Sequence, residues 1–239
     1  MHDRPPESLA TALHSDVPPP SVMPVDREAW SKRLDLSNFV NAYYQYRDVQ
    51  RCGDVRRILI VGPGQGLDTA VFRSRGYDVV TFDIDATFRP DVLGSVHDMT
   101  MFPDREFDAV IASHVLEHMA LPYLDPALRE LARVARHAII YLPATGRHVQ
   151  VRMVPGFRGL DLSLAFDVHN YFHQPDGVTP RYCGGQHFWE VGMRRFRRRD
   201  MLRRFARYFD VVEAYRNRDW ILSQNFVLRS RQHAAAPRP

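Results

Sequence analysis

The 239-residue chain contains two cysteines and one lysine, with no internal repeat and no apolar run long enough to cross a membrane. Cys52 and Cys183 lie far apart and form no disulfide pattern, which excludes a disulfide-stapled scaffold and makes a reducing, cytoplasmic setting the expectation. The first residues carry charge but lack the apolar centre of a signal peptide, in keeping with that setting. A transmembrane helix needs about 18 or more consecutive apolar residues, so no membrane partner is expected. Lys32 is the sole lysine, so the net charge of +4 rests on arginine. Such a skew reflects coding composition more than a binding surface, and net charge speaks to solubility and association rather than to fold.

Hydrophobic residues make up 45% and charged residues 25% of the chain, the balance of a soluble globular protein large enough for one α/β domain. Residues 1–25 hold Pro5, Pro6, Pro18, Pro19, Pro20 and Pro24 with few large apolar side chains, and read as a disordered tail, as do residues 231–239. The domain then spans 26–230, with an insertion over 144–198. Leu34, Phe39, Val40, Tyr43, Tyr44 and Val49 fit one helical face. The short apolar runs at 56–61, 77–82, 92–96, 107–112 and 138–142 read as buried parallel strands, with helices over 67–75 and 123–136 between them. After a helix near 199–208, strand patterns at 209–216 and 220–228 are joined by Asn217-Arg218-Asp219. Three residues are too few for a parallel crossover, so these two strands pair as an antiparallel hairpin.

Gly62-Pro63-Gly64-Gln65-Gly66 separates the first strand from the first helix of that alternation. Glycines there allow a tight turn and close approach of a ligand at the carboxyl ends of the strands. The spacing is not that of the dinucleotide fingerprint, because Leu67 occupies its last glycine position, and the terminal hairpin replaces the second nucleotide-binding half. The second strand ends at Phe82-Asp83-Ile84-Asp85, where a carboxylate can accept both hydrogen bonds of a ribose diol. A turn or helix cap explains Asp85 better than Asp83. Asp98 and Met99 follow the third strand and suit an adenine ring, although a plain turn also explains Asp98.

On these residues, 56–142 resembles the S-adenosylmethionine (SAM)-binding core of the class I methyltransferases, of the type 11 kind. Ile58 to Gly66 is similar to the family's first motif, Asp83 to the acid closing its second strand, and Asp98-Met99 to its adenine-binding pair. Phe107-Asp108-Ala109-Val110 through Val115-Leu116-Glu117-His118 resembles the signature after its fourth strand. The resemblance implies a Rossmann-like, mostly parallel seven-stranded α/β sheet with an antiparallel C-terminal hairpin and helices on both faces. It implies SAM as cofactor, held by Gly62, Pro63, Gly64, Gln65, Gly66, Asp83, Ile84, Asp98, Met99, Ser113 and His114. One departure concerns the acid often found two places before the first glycine, which here is Ile60. Ser113 and loop carbonyls are then left to meet the methionine amino group. Glu117 and His118 read first as polar residues at a helix start, where an acid suits the positive dipole end.

The insertion holds Phe157, Phe166, Tyr171, Phe172, Tyr182, Phe188 and Trp189 together with His148, His169, His173 and His187. Aromatic walls with a few polar groups build small-molecule pockets; a helical subdomain with its own small core is the alternative. Within Gln186-His187-Phe188-Trp189-Glu190, His187 is the expected catalytic base and Glu190 its orienter or a substrate ligand. The expected reaction is O-methylation of a small metabolite or sugar, and Arg147, Arg152, Arg158 and Arg181 point to an anionic acceptor. His169-x3-His173 and Cys183-x3-His187 have zinc-like spacing, but only one thiol is present and no metal is assigned. The run Arg194, Arg195, Arg197, Arg198 and Arg199 keeps a nucleic-acid partner open, as an RNA methyltransferase or a non-catalytic SAM-binding, RNA-contacting protein. Against it, those arginines also suit the outer face of an amphipathic helix. Nothing in the sequence indicates the oligomeric state.

Overall fold

A computed structural model describes residues 34–153, 162–168 and 174–231. The tail over 1–25 and residues 232–239 lie outside the described residues, as do Phe157, Arg158, His169, Tyr171, Phe172 and His173.

Helix α1, Leu36–Arg51, opens on a reciprocal cap. The Asp35 carboxylate accepts from Ser37 N at 3.0 Å, while the Asn38 side chain accepts from Asp35 N at 2.9 Å. β1 (Arg57–Val61), α2 (Leu67–Ser74), β2 (Asp78–Asp83), β3 (Val92–Leu93), β4 (Phe107–Ser113), α3 (Leu121–Val134) and β5 (Ala135–Pro143) follow in the expected alternation. After the insertion come α4 (Arg198–Phe205), β8 (Phe209–Arg216) and β9 (Ser223–Ser230). The seven-stranded sheet has the order β3-β2-β1-β4-β5-β9-β8. β3, β2, β1, β4 and β5 are parallel, and β9 and β8 antiparallel.

Alternation along β1 divides the core. Leu59 and Val61 face a layer with Leu124, Leu128 and Leu131 of α3, and Ile58 and Ile60 face one with Tyr44, Val49 and Phe72 of α1 and α2. Ile60 is therefore core, so an acid at that position would be buried away from the cleft described below. α1 is pinned to the sheet through Asp48, fully buried, which pairs with Arg47 at 2.8 Å and accepts from the hydroxyls of Tyr141 (2.7 Å) and Tyr215 (2.5 Å). That anchor holds the helix start over the carboxyl ends of the strands.

Beyond shifts of up to three residues at other helix and strand ends, three departures from expectation have an identifiable cause. β3 stops at Leu93, because residues 95–98 fold into a tight turn with Asp98 N donating to Ser95 O at 2.9 Å. β9 begins at Ser223 instead of Trp220, because Asn217 Oδ1 accepts from both Asp219 N and Trp220 N and holds those residues in a turn. The third lies in the insertion, where β6 (Arg147–Met153) pairs antiparallel with β7 (Leu162–Val168) and the other described residues from 174 to 197 form no helix. A helical subdomain is thus replaced, among the described residues, by a two-stranded ribbon. Val149, Val151 and Met153 carry the period-two signal for it.

Candidate functional site

The sheet order reverses between β1 and β4, and a ligand crevice is expected at the carboxyl ends of the strands there. A cleft of about 760 Å³ opens at that place. β1 leads into Gly62 at φ +68°, where a Cβ would meet Val115 Cγ2 at 2.5 Å, so both the backbone and the space favour glycine. Gly66 N then donates to Pro63 O at 2.8 Å, and Gly66, at φ +76°, caps α2. The loop thereby presents backbone along one wall, formed by Gly62, Pro63, Gly64, Gln65 and Gly66.

Asp83 and Ile84 line the next stretch, and Asp83 also borders an adjoining recess of about 100 Å³ walled by Phe82, Ser95, Val96 and Val115. Asp83 Oδ1 accepts from Asp85 N at 2.9 Å, which fixes the carboxylate at the strand end, while Asp85 caps the following turn through Thr87 N. Ser113 and His114 complete this side. His114 has φ +55°, an uncommon conformation for a residue with a Cβ, and its ring packs 4.9 Å from that of Trp220.

Asp98 and Met99 do not reach the cleft. The Met99 side chain is fully buried in the core, and its N–H donates to Glu130 at 3.0 Å. Asp98 is exposed and accepts from the Thr100 hydroxyl at 3.0 Å, so the turn explanation holds for it. Because the chain turns at 95–98, Gly94, Ser95 and Val96 are the residues of this segment that wall the recess.

The insertion supplies the far end. Cys183, Gly184 and Gly185 all have positive φ (49°, 68° and 85°) and form a tight reversal closed by mutual backbone bonds between Tyr182 and His187. His187 is thereby aimed into the cleft, with its Nδ1 2.8 Å from Glu190 Oε1. Burial lowers the basicity of His187, but the bond to Glu190 and the charge of Glu117 outweigh it and raise its pKa above the usual histidine value. Phe188 and Trp189 are not pocket walls: both are fully buried, and Trp189 stacks on Phe196 at 5.2 Å. The aromatic walls of the cleft are Trp220, from the β8–β9 turn, and Phe88, after β2.

Several cleft residues have no counterpart among the sequence-predicted sites. α1 contributes Ser37, Asn38, Asn41 and Gln45, its capping residue Asp35 lines the cleft beside them, and α2 contributes Asp68. Burial raises the Asp68 carboxyl to a pKa of about 6, against the opposing bonds from Thr69 and Gln45. Glu117 and His118 line the cleft as well, on a short 3₁₀ turn at Leu116–His118. Glu117 does stand in the first turn of a helix as expected, but its side chain is fully buried. Burial opposes its ionisation, but His114, His118 and His187 around it hold its pKa below the ordinary value.

Some of the arginines are used within the fold, whereas Arg194 and Arg195 are exposed. Arg204 and Arg207 reach Asp125 of α3 at 2.7 and 3.4 Å, and Arg198 donates to Ala214 O. Arg181 pairs with Asp176 at 3.3 Å, away from the cleft lining. The side chains of Arg147 and Arg152 lie outside the described residues.

Residues 59–140 match the family model described as a methyltransferase domain. No curated protein matches the sequence. Among solved structures, the chain is similar to the PH0226 protein from Pyrococcus horikoshii OT3, at 14% identity and a TM-score of 0.53, over 84% of this chain and 93% of that one. It is also similar to the Burkholderia thailandensis 1,6-didemethyltoxoflavin-N1-methyltransferase, solved with 1,6-didemethyltoxoflavin and S-adenosylhomocysteine. There the identity is 16% and the TM-score 0.50, over 81% and 86% of the two chains. A third is the glycopeptide N-methyltransferase MtfA, solved with S-adenosylhomocysteine (13% identity, TM-score 0.51, 80% and 89% coverage). At these identities the likeness is one of fold.

Proposed function

We propose, from the premise that residues 59–140 are a methyltransferase domain on the class I fold, that the chain transfers a methyl group from SAM to the hydroxyl of a small molecule. The observation that carries this reading is a single cleft with a glycine loop and a strand-end aspartate at one end and a buried histidine–glutamate pair at the other. Asp83 suits the ribose diol of the cofactor, and the recess beside it, walled by Ser95 and Val96, suits the adenine. With Ile60 in the core, Asp68 is the carboxylate that faces the methionine ammonium: a cation beside it would offset the cost of its buried charge.

Methyl transfer from a sulfonium is an in-line displacement, so the main task of the protein is to align the acceptor oxygen with the methyl group. Trp220 and the turn at 182–187 flank the space left for the acceptor. His187, with Glu190 behind it, acts on the acceptor's hydroxyl proton. Both relatives named above as N-methyltransferases act on small or peptide-like acceptors by their names, which supports a small-molecule acceptor while leaving the atom to experiment.

The test is to incubate purified protein with methyl-labelled SAM and panels of hydroxylated and aminated metabolites, neutral and anionic. Acceptor-dependent S-adenosylhomocysteine with label on oxygen is the expected result. Label found only on nitrogen would overturn the O-methylation, and activity on neutral acceptors alone would remove the anionic preference.

A further inference from the structure

Three side chains at the acceptor end of the cleft converge. Glu117, His118 and His187 each offer one ligand atom, and these atoms lie within 4.8 Å of one another. Glu117 is fully buried, and neither of its carboxylate oxygens has a hydrogen-bond partner. The His114 Nδ1 stands 3.6 Å from one of them, too far for a hydrogen bond. A buried carboxylate in that state is costly unless a further positive charge completes it.

Both imidazoles are held from the opposite side. His118 Nδ1 is 3.1 Å from the carbonyl of Gln186, and His187 Nδ1 is 2.8 Å from Glu190 Oε1. Each of these oxygens accepts the Nδ1 proton, which leaves Nε2 of a neutral ring as a lone-pair donor. A histidine oriented by a carbonyl or a carboxylate at its far nitrogen is how metal ligands are fixed in tautomer and direction. The two rings meet edge to face, 4.7 Å between centroids.

We propose that Glu117, His118 and His187 bind one divalent first-row transition-metal ion, with zinc(II) the ion this donor set suits best. Three protein ligands leave a position open to the cleft, where the ion can take an oxygen. Bonds of about 2.0–2.1 Å at tetrahedral angles need ligand atoms roughly 3.3 Å apart, so binding draws the three side chains together. Cys183 lines the same cleft but stands outside this group.

The role of the ion, though not its binding, rests on the methyl-transfer reading. A metal-bound acceptor hydroxyl is more acidic. Its O–H bond breaks and the proton passes to water; the oxygen bonds the methyl carbon, and the electrons of the broken C–S bond stay on sulfur. His187 then works through the ion instead of as a free base.

Full-length protein, freed of any affinity tag and stripped with a chelator, is titrated with zinc(II) by calorimetry, and zinc per chain is measured after dialysis. The expected result is one zinc per chain, with cobalt(II) giving the intense visible bands of a four-coordinate site. The His118→Ala/His187→Ala double variant, shown folded by circular dichroism, should lose that zinc. Glu190→Ala, which removes only the partner behind His187, should weaken binding about tenfold to a hundredfold. Wild-type protein without stoichiometric zinc, or a double variant that still binds it, overturns the proposal. A parallel SAM titration separates the two readings: SAM bound without zinc rejects the metal site alone, whereas zinc bound without SAM supports the site and rejects methyl transfer.

Discussion

The two ends of the cleft are built by different means. The glycine-loop end is built on contiguous segments that leave the parallel strands: Gly62 at the end of β1, Asp83 at the end of β2, Ser113 at the end of β4. The opposite end, proposed to take the acceptor, is made of side chains from two distant segments sewn together. His118 meets the Gln186 carbonyl 68 residues away, Phe188 N donates to Glu117 O, and Trp189 Nε1 donates to Met119 O across 70 residues. Sheet topology alone is enough to form the first end, whereas the second exists only once the insertion has docked. Substitutions at one end should therefore move cofactor affinity and stability, and at the other turnover.

The largest separation is expected at His187. His187→Ala should reduce turnover by about 10²–10⁴-fold, the range for losing the activation of the acceptor hydroxyl, as a base or through the proposed ion, while SAM affinity stays within about twofold. Steady-state kinetics beside calorimetry would show this. Equal losses in both would mean that the two ends are not separate.

Asp68 offers a second contrast, between binding and stability. Burial holds its folded pKa at about 6, above the ordinary 3.8, so the unfolded chain ionises first and stability is lost as pH rises from about 4 to 6. Asp68→Asn removes that cost and should raise the denaturation midpoint of the free protein above pH 6. The same change should weaken SAM binding about tenfold to a hundredfold, the worth of a charged hydrogen bond. Wild-type affinity should fall as pH drops through 6, and the variant should show no such dependence.

The smallest effect is one of backbone. Gly62→Ala meets both a positive φ and the Val115 methyl group, whereas Gly66→Ala meets the positive φ with open space around the new Cβ. Urea unfolding should show both destabilised, Gly66→Ala by about 1 kcal/mol and Gly62→Ala by more. Equal losses would show that Val115 yields.

The same division explains what was legible in the sequence. Short apolar strands, the glycine loop and Asp83 are local signals, and their pattern marks a parallel sheet with a loop and an acid at its strand ends. Met99 misleads because its position after a strand does not reveal the tight turn at 95–98 that sends its side chain into the core. Asp68 sits only two residues past the loop, an acid in the first turn of α2, and that proximity was the signal available for it. Glu117 resembles an ordinary helix-start acid until the docked insertion is seen to bury it among histidines. Phe188 and Trp189 show the converse: their aromatic content suggests a pocket wall, but whether an aromatic lines a cleft or fills a core depends on what packs over it. The ribbon of β6 and β7 carried a period-two pattern in Val149, Val151 and Met153, obscured by the surrounding histidines and arginines.

On the proposed function, the cleft holds SAM through the strand ends. Calorimetric titration of wild-type protein and Asp83→Ala with SAM, S-adenosylhomocysteine and NAD tests it most directly. Micromolar binding of SAM and S-adenosylhomocysteine, no binding of NAD, and affinity weakened about tenfold or more in the variant is the predicted result. Absence of SAM binding by the wild-type protein, or undiminished binding by the variant, would contradict it.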